Sequence, residues 1–278
     1  MNLGQFEVNV ISGGRLRLDG GAMFGVVPKP LWQKVAPTDD QNRIQMDTNL
    51  LFIQAAGKRV LVDTGLGMDL SEKERLHCCY EGPDVVTALG GLEVQPAEVD
   101  LVIFTHLHWD HAAGATTKQG DQMVPTFPNA TYCVQRQEYL DALDDFGTGK
   151  GGYRREHFVP LEQRGQLQLL EGDAEVLPGV RVQVTGGHTR GHQVIHLESE
   201  GQRALYFADT MPTPAHLRPA WNMAFDLFPL DTVRVKLALA NQAADENWIC
   251  FFDHDPTVRA GRVVRGESGR LSVAPLTR

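Results

Sequence analysis

Between Thr105 and His111 the chain reads Thr-His-Leu-His-Trp-Asp-His, which places four metal-ligating side chains within six residues. His106 and His108 alternate, so an extended backbone points both imidazoles to one side. Asp110 and His111 follow one step later, where the chain must turn to present two further groups. Neutral imidazole and carboxylate at this density suit zinc, with manganese and iron as competitors. The stretch Val99–Phe104 just upstream is short, apolar and rich in β-branched residues, and predicts a buried strand. Ligands at the end of a buried strand are where an α/β protein builds its site.

Three more positions follow predicted strands and carry ligand-type side chains. His188 comes after Arg181–Val184, behind Gly186 and Gly187, which let the backbone approach an ion closely. Asp209 closes the run Ala204–Ala208, and His254, flanked by Asp253 and Asp255, closes Ile249–Phe252. Singly each is a weak signal, because a strand-end Asp commonly caps a turn. Together with the His106–His111 cluster they form a coherent set.

The elements that would position these groups are legible in outline. Phe6–Ser12 predicts an outer strand, followed by a Gly-rich loop through Gly25. Thr48–Gln54 and Arg59–Val62 predict a hairpin, whose second strand ends in the turn Asp63-Thr64-Gly65. Pro83–Leu89 and Arg136–Leu143 predict helices, as does Asp231–Ala243 with Asp231 or Thr232 as N-cap. Thr131–Val134, Leu167–Leu170, Arg181–Val184, Gln193–Glu198 and Arg203–Phe207 predict strands, and Trp248–Phe252 predicts the last one. The Gly-broken segment at 144–160 reads as a flap-like insertion. Strand blocks with helices in both halves predict two mixed sheets packed face to face with helices outside, in one domain spanning 1–278 with pseudo-duplicated halves.

Composition bounds the function. The 278 residues are 42% hydrophobic and 22% charged, ordinary for a globular protein. A formal net charge of −9 with no basic stripe speaks against nucleic acid as a partner. No apolar run of ~18 residues predicts a membrane span. The N-terminus lacks the pattern of a signal peptide, and the four cysteines (Cys78, Cys79, Cys133, Cys250) lack CxxC spacing. A cytoplasmic protein with reduced thiols is expected. The oligomeric state, a homodimer included, is not legible.

The ordered set His106-x-His108-x-Asp110-His111, His188, Asp209, His254 resembles the metallo-β-lactamase-fold hydrolase superfamily, and Asp63-Thr64-Gly65 matches its early Asp motif. The resemblance runs from about Asp63 to Asp255 and implies a four-layer αββα sandwich. It further implies one divalent ion on His106, His108 and His188 and a second on Asp110, His111 and His254, with Asp209 bridging. Such a pair, most simply zinc, would activate a bridging hydroxide at neutral pH. Asp110 would orient the nucleophile or carry its proton, and Asp63 would fix a ligand histidine.

The branch is narrowed by exclusions. Asp209 stands where the true β-lactamase branches carry Cys or His, and His108 where the diiron flavoproteins carry Glu. The basic extensions of tRNA-processing nucleases and the basic helical region of glyoxalase-II-like thioesterases have no clear counterpart here. The lactonase and organophosphate-hydrolase-like group is resembled more closely. Its lactonases often carry a Tyr shortly after the bridging Asp, whereas this chain continues Thr210-Met211-Pro212-Thr213-Pro214. Tyr153 and His216 are the candidates for that role. Phe24, Trp109 and other aromatics are candidates for the wall of an apolar pocket, which favours a small uncharged ester, lactone or phosphotriester. The alternatives are a glyoxalase-II-like thioesterase and a single-iron oxidoreductase of the persulfide-dioxygenase type.

Overall fold

The computed structural model describes residues 1–146 and 152–276. The hairpin β3 (Arg43–Ala55) and β4 (Lys58–Val62) is joined in parallel by β5 (Leu101–Ile103). Next come β8 (Thr131–Gln135) and β9 (Leu167–Leu170), also parallel. The long β2 (Phe6–Asp19) pairs on the other side, flanked by the two-residue β1 (Asn2–Leu3). Between β5 and β8, β6 (Thr116–Gln119) and β7 (Gln122–Pro125) form a separate small hairpin.

The second sheet repeats this plan. Its strands β10 (Ala174–Leu177), β11 (Val180–Val184), β12 (Gln193–Ser199) and β13 (Gln202–Tyr206) are antiparallel neighbours. The strand β14 (Ile249–Phe251) then lies parallel to β13, and β15 (Ala260–Arg265) and β16 (Leu271–Pro275) complete the sheet.

Period-2 alternation builds the layers. Leu51, Ile53, Val60, Val62, Leu101 and Ile103 face inward onto Val182, Ile195, Leu197, Tyr206 and Phe251 of the second sheet. Their sequence neighbours Leu50, Phe52, Leu61 and Val102 face outward. There they meet Val85 and Leu89 of a short helix at Val85–Gly90, Tyr139 and Ala142 of α6, a helix at Arg136–Leu143, and Leu161 of another at Val159–Gln163. On the far side Leu239, Ala240 and Ala243 of α8 (Pro229–Asp245) cover Leu205, Cys250 and Val263. The result is the expected αββα order. Strands buried on both faces also explain why β3 and β5 read as nearly unbroken apolar runs.

Four expectations need correction. The Gly13–Gly14 region is not a loop: β2 runs through it to Asp19, with a register shift between Ser12 and Arg15. Gly14, at φ 118, supplies a backbone conformation that other residues rarely adopt. The helix α8 starts at Pro229 after Phe228, which makes no side-chain cap, so neither Asp231 nor Thr232 is the N-cap. Pro at the first helical position needs no capped N–H there. Trp248–Phe252 is not the last strand, since the half-exposed β15 and β16 follow it. Of the predicted flap, residues 147–151 lie outside the described residues, and Arg155–His157 and Val159–Gln163 are short helical turns. Among the described residues no helix is long and apolar enough to cross a membrane.

Candidate metal centre

The predicted ligands converge at the carboxyl ends of β5, β11, β13 and β14, from both sheets. After β5 the chain stays extended through His106 and His108, then turns into a four-residue helix, Trp109–Ala112, that carries Asp110 and His111. Leu107, between the two histidines, packs into the outer core and donates its N–H to Glu138 Oε1 (3.0 Å). Gly187 lies so close to α8 that a Cβ would sit 2.5 Å from the Thr232 nitrogen, and this proximity lets His188 reach inward. Asp209 lies in a 3₁₀ turn after β13. His254 follows β14, with its backbone N–H bonded to the Pro212 carbonyl.

Two half-sites result. In the first, His106 Nε2 and His188 Nε2 each lie 3.0 Å from His108 Nδ1, and Asp209 Oδ2 lies 3.0 Å from His188 Nε2. In the second, His254 Nε2 lies 3.1 Å from Asp209 Oδ1 and 3.7 Å from Asp110 Oδ2. His111 Nε2 lies 3.8 Å from Asp209 Oδ2 and 4.0 Å from Asp110 Oδ2. Asp209 thus faces both groups. Asp253, not foreseen, also belongs to the second group.

The outward nitrogens explain why the inward ones are available. His111 Nδ1 faces Asp63 Oδ2 at 3.0 Å, and that carboxylate also takes the Thr105 N–H and hydroxyl, both at 2.8 Å. The Thr105 oxygen, its proton so committed, accepts from His106 Nδ1 (3.0 Å). His188 Nδ1 faces Asp226 Oδ1 at 2.9 Å, and His254 Nδ1 donates to the Asp47 carbonyl at 2.9 Å. In these four histidines the Nδ1–H is held by an acceptor, so Nε2 faces the cluster with a lone pair or an exchangeable proton, whereas His108 turns Nδ1 inward.

Electrostatics agree with this picture. Burial alone would lower the histidine pKa values, yet Asp209 and Asp226 lift His188 to about 10, and Asp110, Asp209 and Asp63 lift His111 to about 9. His254 is raised well above its usual value by Asp253 and Asp209, against burial. Asp209, despite burial, is held well below the carboxylate range by His188, His254 and His111. Burial and neighbouring imidazoles keep His106 and His108 neutral. Protons thus sit on inward nitrogens among buried carboxylates, the positions a cation would take. His111 Nε2 is buried with no hydrogen-bond partner, and in such a site it calls for one. The donor set fits two divalent cations.

Above the cluster opens a cavity of about 580 Å³ whose floor includes His108, Asp110, His188, Asp209 and His254. Its walls are largely apolar, with Leu18, Met23, Met46, Met223 and Leu227 among them. Trp109 faces this cavity and carries the Arg154 guanidinium over its ring at 5.4 Å, while Glu74 pairs with Arg154 at 2.7 Å. Phe24 does not reach the cavity. It stacks between Trp32 and His216 in a core beside it.

The two candidates for the tyrosine role are engaged elsewhere. The Tyr153 hydroxyl donates to buried Glu138 (3.0 Å), and His216 is held by Thr213 Oγ1 and the Met23 carbonyl, both at 2.8 Å. Burial lowers the His216 pKa to about 4. Among the described residues no tyrosine lines the cavity. Asp47, Asp226 and Glu138 were missed because each acts across a long sequence separation from a mid-strand, loop or helix position with no local pattern.

Comparison with known proteins places this geometry in context. The model of the metallo-beta-lactamase superfamily matches residues 44–254. The N-acyl homoserine lactonase of Bacillus thuringiensis is 31% identical over 152 residues, covering 51% of this chain and 54% of the relative. The chain thus spans about half the length of the first curated relatives it matches. The N-acyl homoserine lactonase of Rhizobium radiobacter is 30% identical over 226 residues, or 74% of this chain and 80% of the relative. A crystal structure of a probable metal-dependent hydrolase from Staphylococcus aureus superposes with a TM-score of 0.91 at 31% identity, covering 100% of this chain and 99% of that one.

Proposed function

The chain belongs to the metallo-beta-lactamase superfamily, and from that membership we propose that it is a dinuclear metal-dependent hydrolase of small, uncharged, largely apolar esters and lactones. The observation that carries the reading is the set of inward nitrogens and carboxylates, tautomers fixed from behind, at the floor of an apolar cavity. His106, His108 and His188 would hold one divalent cation, Asp110, His111 and His254 the other, and Asp209 both. When bound, the cations supply Lewis acidity and lower the pKa of water from ~15.7 toward neutrality.

The remaining work falls to the chain's own groups. Asp110 lies at the cavity floor, where it would orient a water and take its proton. Met23, Met46, Met223 and Leu227 exclude water and favour an acyl chain. The Arg154 charge is matched by Glu74, so among the described residues the guanidinium at the mouth is already paired. That neutrality favours an uncharged substrate over a glutathione thioester with its free carboxylates. The relatives named N-acyl homoserine lactonases support the lactone class.

The test combines elemental analysis of protein purified without added metal with assays on lactones, aryl esters, thioesters and phosphotriesters. Two ions per chain and turnover of a lactone or ester are expected. His108→Ala and Asp209→Ala should each abolish turnover while the circular dichroism spectrum stays that of the parent. Comparable turnover of glutathione thioesters, or one iron per chain with oxygen uptake, would replace this reading.

A further inference from the structure

Asp253 is the residue at the centre that neither the ligand pattern nor the fold accounts for. Its side chain is 1% exposed, and neither carboxylate oxygen has a hydrogen-bond partner among the described residues. A structural aspartate at this depth is normally tied to a backbone N–H or a basic side chain, because an unsatisfied buried carboxylate is costly. Asp63 and Asp47 show the usual solution, the first taking the Thr105 N–H and hydroxyl, the second the Arg259 guanidinium. Asp253 has no such backbone or basic anchor, and the group beside it is the carboxyl of Asp209, itself a candidate ligand. Its carboxylate instead lies with the ligand atoms of His111, Asp209 and His254, within 4.8 Å of one another, and Oδ2 is 3.6 Å from His254 Nε2.

We propose that Asp253 is an additional carboxylate ligand of the second half-site, making that site harder and more oxygen-rich than the first. The inference rests on the dinuclear reading above and refines it. The first group offers three imidazole nitrogens and one oxygen of Asp209. The second offers His111 and His254 with Asp110, Asp209 and Asp253, so carboxylates outnumber imidazoles. Imidazole favours zinc, whereas carboxylate oxygen favours manganese and similar hard ions. The two positions therefore differ in metal preference, and the chain favours a mixed pair when both metals are supplied.

The test loads metal-stripped protein from buffers of fixed free Zn2+ and Mn2+ and counts both ions per chain. Wild type is expected to take zinc first at one position and to hold manganese at the other with measurable selectivity. Asp253→Asn should lower the Mn2+ to Zn2+ preference of the second ion by about 10-fold or more, with the first ion unchanged. In Co2+-loaded protein the visible d–d bands should intensify in the variant, as expected when a ligand is lost and coordination number falls. Asp253→Ala is run alongside, because it removes the carboxyl without adding an amide donor. If wild type binds two ions and both variants bind them with unchanged affinity, selectivity and Co2+ spectrum, the inference falls and the dinuclear reading stands. If wild type binds one ion only, the dinuclear reading falls, and the inference with it.

Discussion

At the residue scale, the centre is defined less by its inward ligands than by what stands behind them. Asp63 and Asp226 play equivalent parts, each accepting from the outward nitrogen of a ligand histidine. Removing such a partner typically costs a metal site ~10–100-fold in affinity. Asp63→Asn should therefore weaken the second ion by about that factor and, because Asp63 also holds the Thr105 hydroxyl behind His106, the first by less, while Asp226→Asn should weaken the first ion and leave the second nearly intact. Isothermal titration of each variant with Zn2+ decides it, and equal loss of both ions in the Asp226 variant would refute the assignment of His111 and His188 to separate half-sites. Asp63 was readable in advance from its strand-end turn. Asp226 was not, because it sits in a loop 38 residues beyond its partner with no periodicity around it.

The same division runs through the elements. Local signals, such as the apolar run Val60–Val62 and the helical face of Arg136–Leu143, were sufficient for the strands and helices of the core. They failed where tertiary packing overrides composition. The glycines at 13 and 14 suggested a loop, yet they carry the shift that keeps β2 paired with β3 on both sides of it. The weakly apolar β15 and β16 were invisible, because they pair at the edge of the second sheet and only Gly261 and Val263 are buried among them. Gly187 is the glycine whose role the packing makes plain, since a methyl group there would meet the Thr232 nitrogen and hydroxyl at 2.5 Å. Gly187→Ala must push α8 or the His188 loop away, at a cost of ~1–3 kcal/mol. The expected result is a melting temperature lower by several degrees and a weakened first ion. A variant with the parent's metal affinity would show that α8 yields rather than the loop.

On the scale of the whole molecule, the two sheets meet at the site as well as in the core. His106, His108, Asp110 and His111 come from the first sheet, and His188, Asp209 and His254 from the second, so bound cations would cross-link the sandwich. Ions that bind only the folded chain add stability as RT ln(1 + [L]/Kd), ~2.7 kcal/mol for one ion at 100 times its Kd. This contribution should depend on pH in a definite direction. In the metal-free chain, His188 near 10 and His111 near 9 are raised against ~6.5 when unfolded. Their stabilising protonation is complete below pH 6.5 and is lost as pH climbs through 9 to 10. Cation binding needs those same nitrogens free of protons, so the metal's contribution grows over the interval in which the protons' contribution fades. The gap in melting temperature between loaded and stripped protein, measured at fixed free metal, should therefore widen from pH 6 to pH 9, and uptake at pH 7.5 should release more than one proton per chain. A gap that stays constant or narrows would mean that these inward imidazoles do not bind the ions.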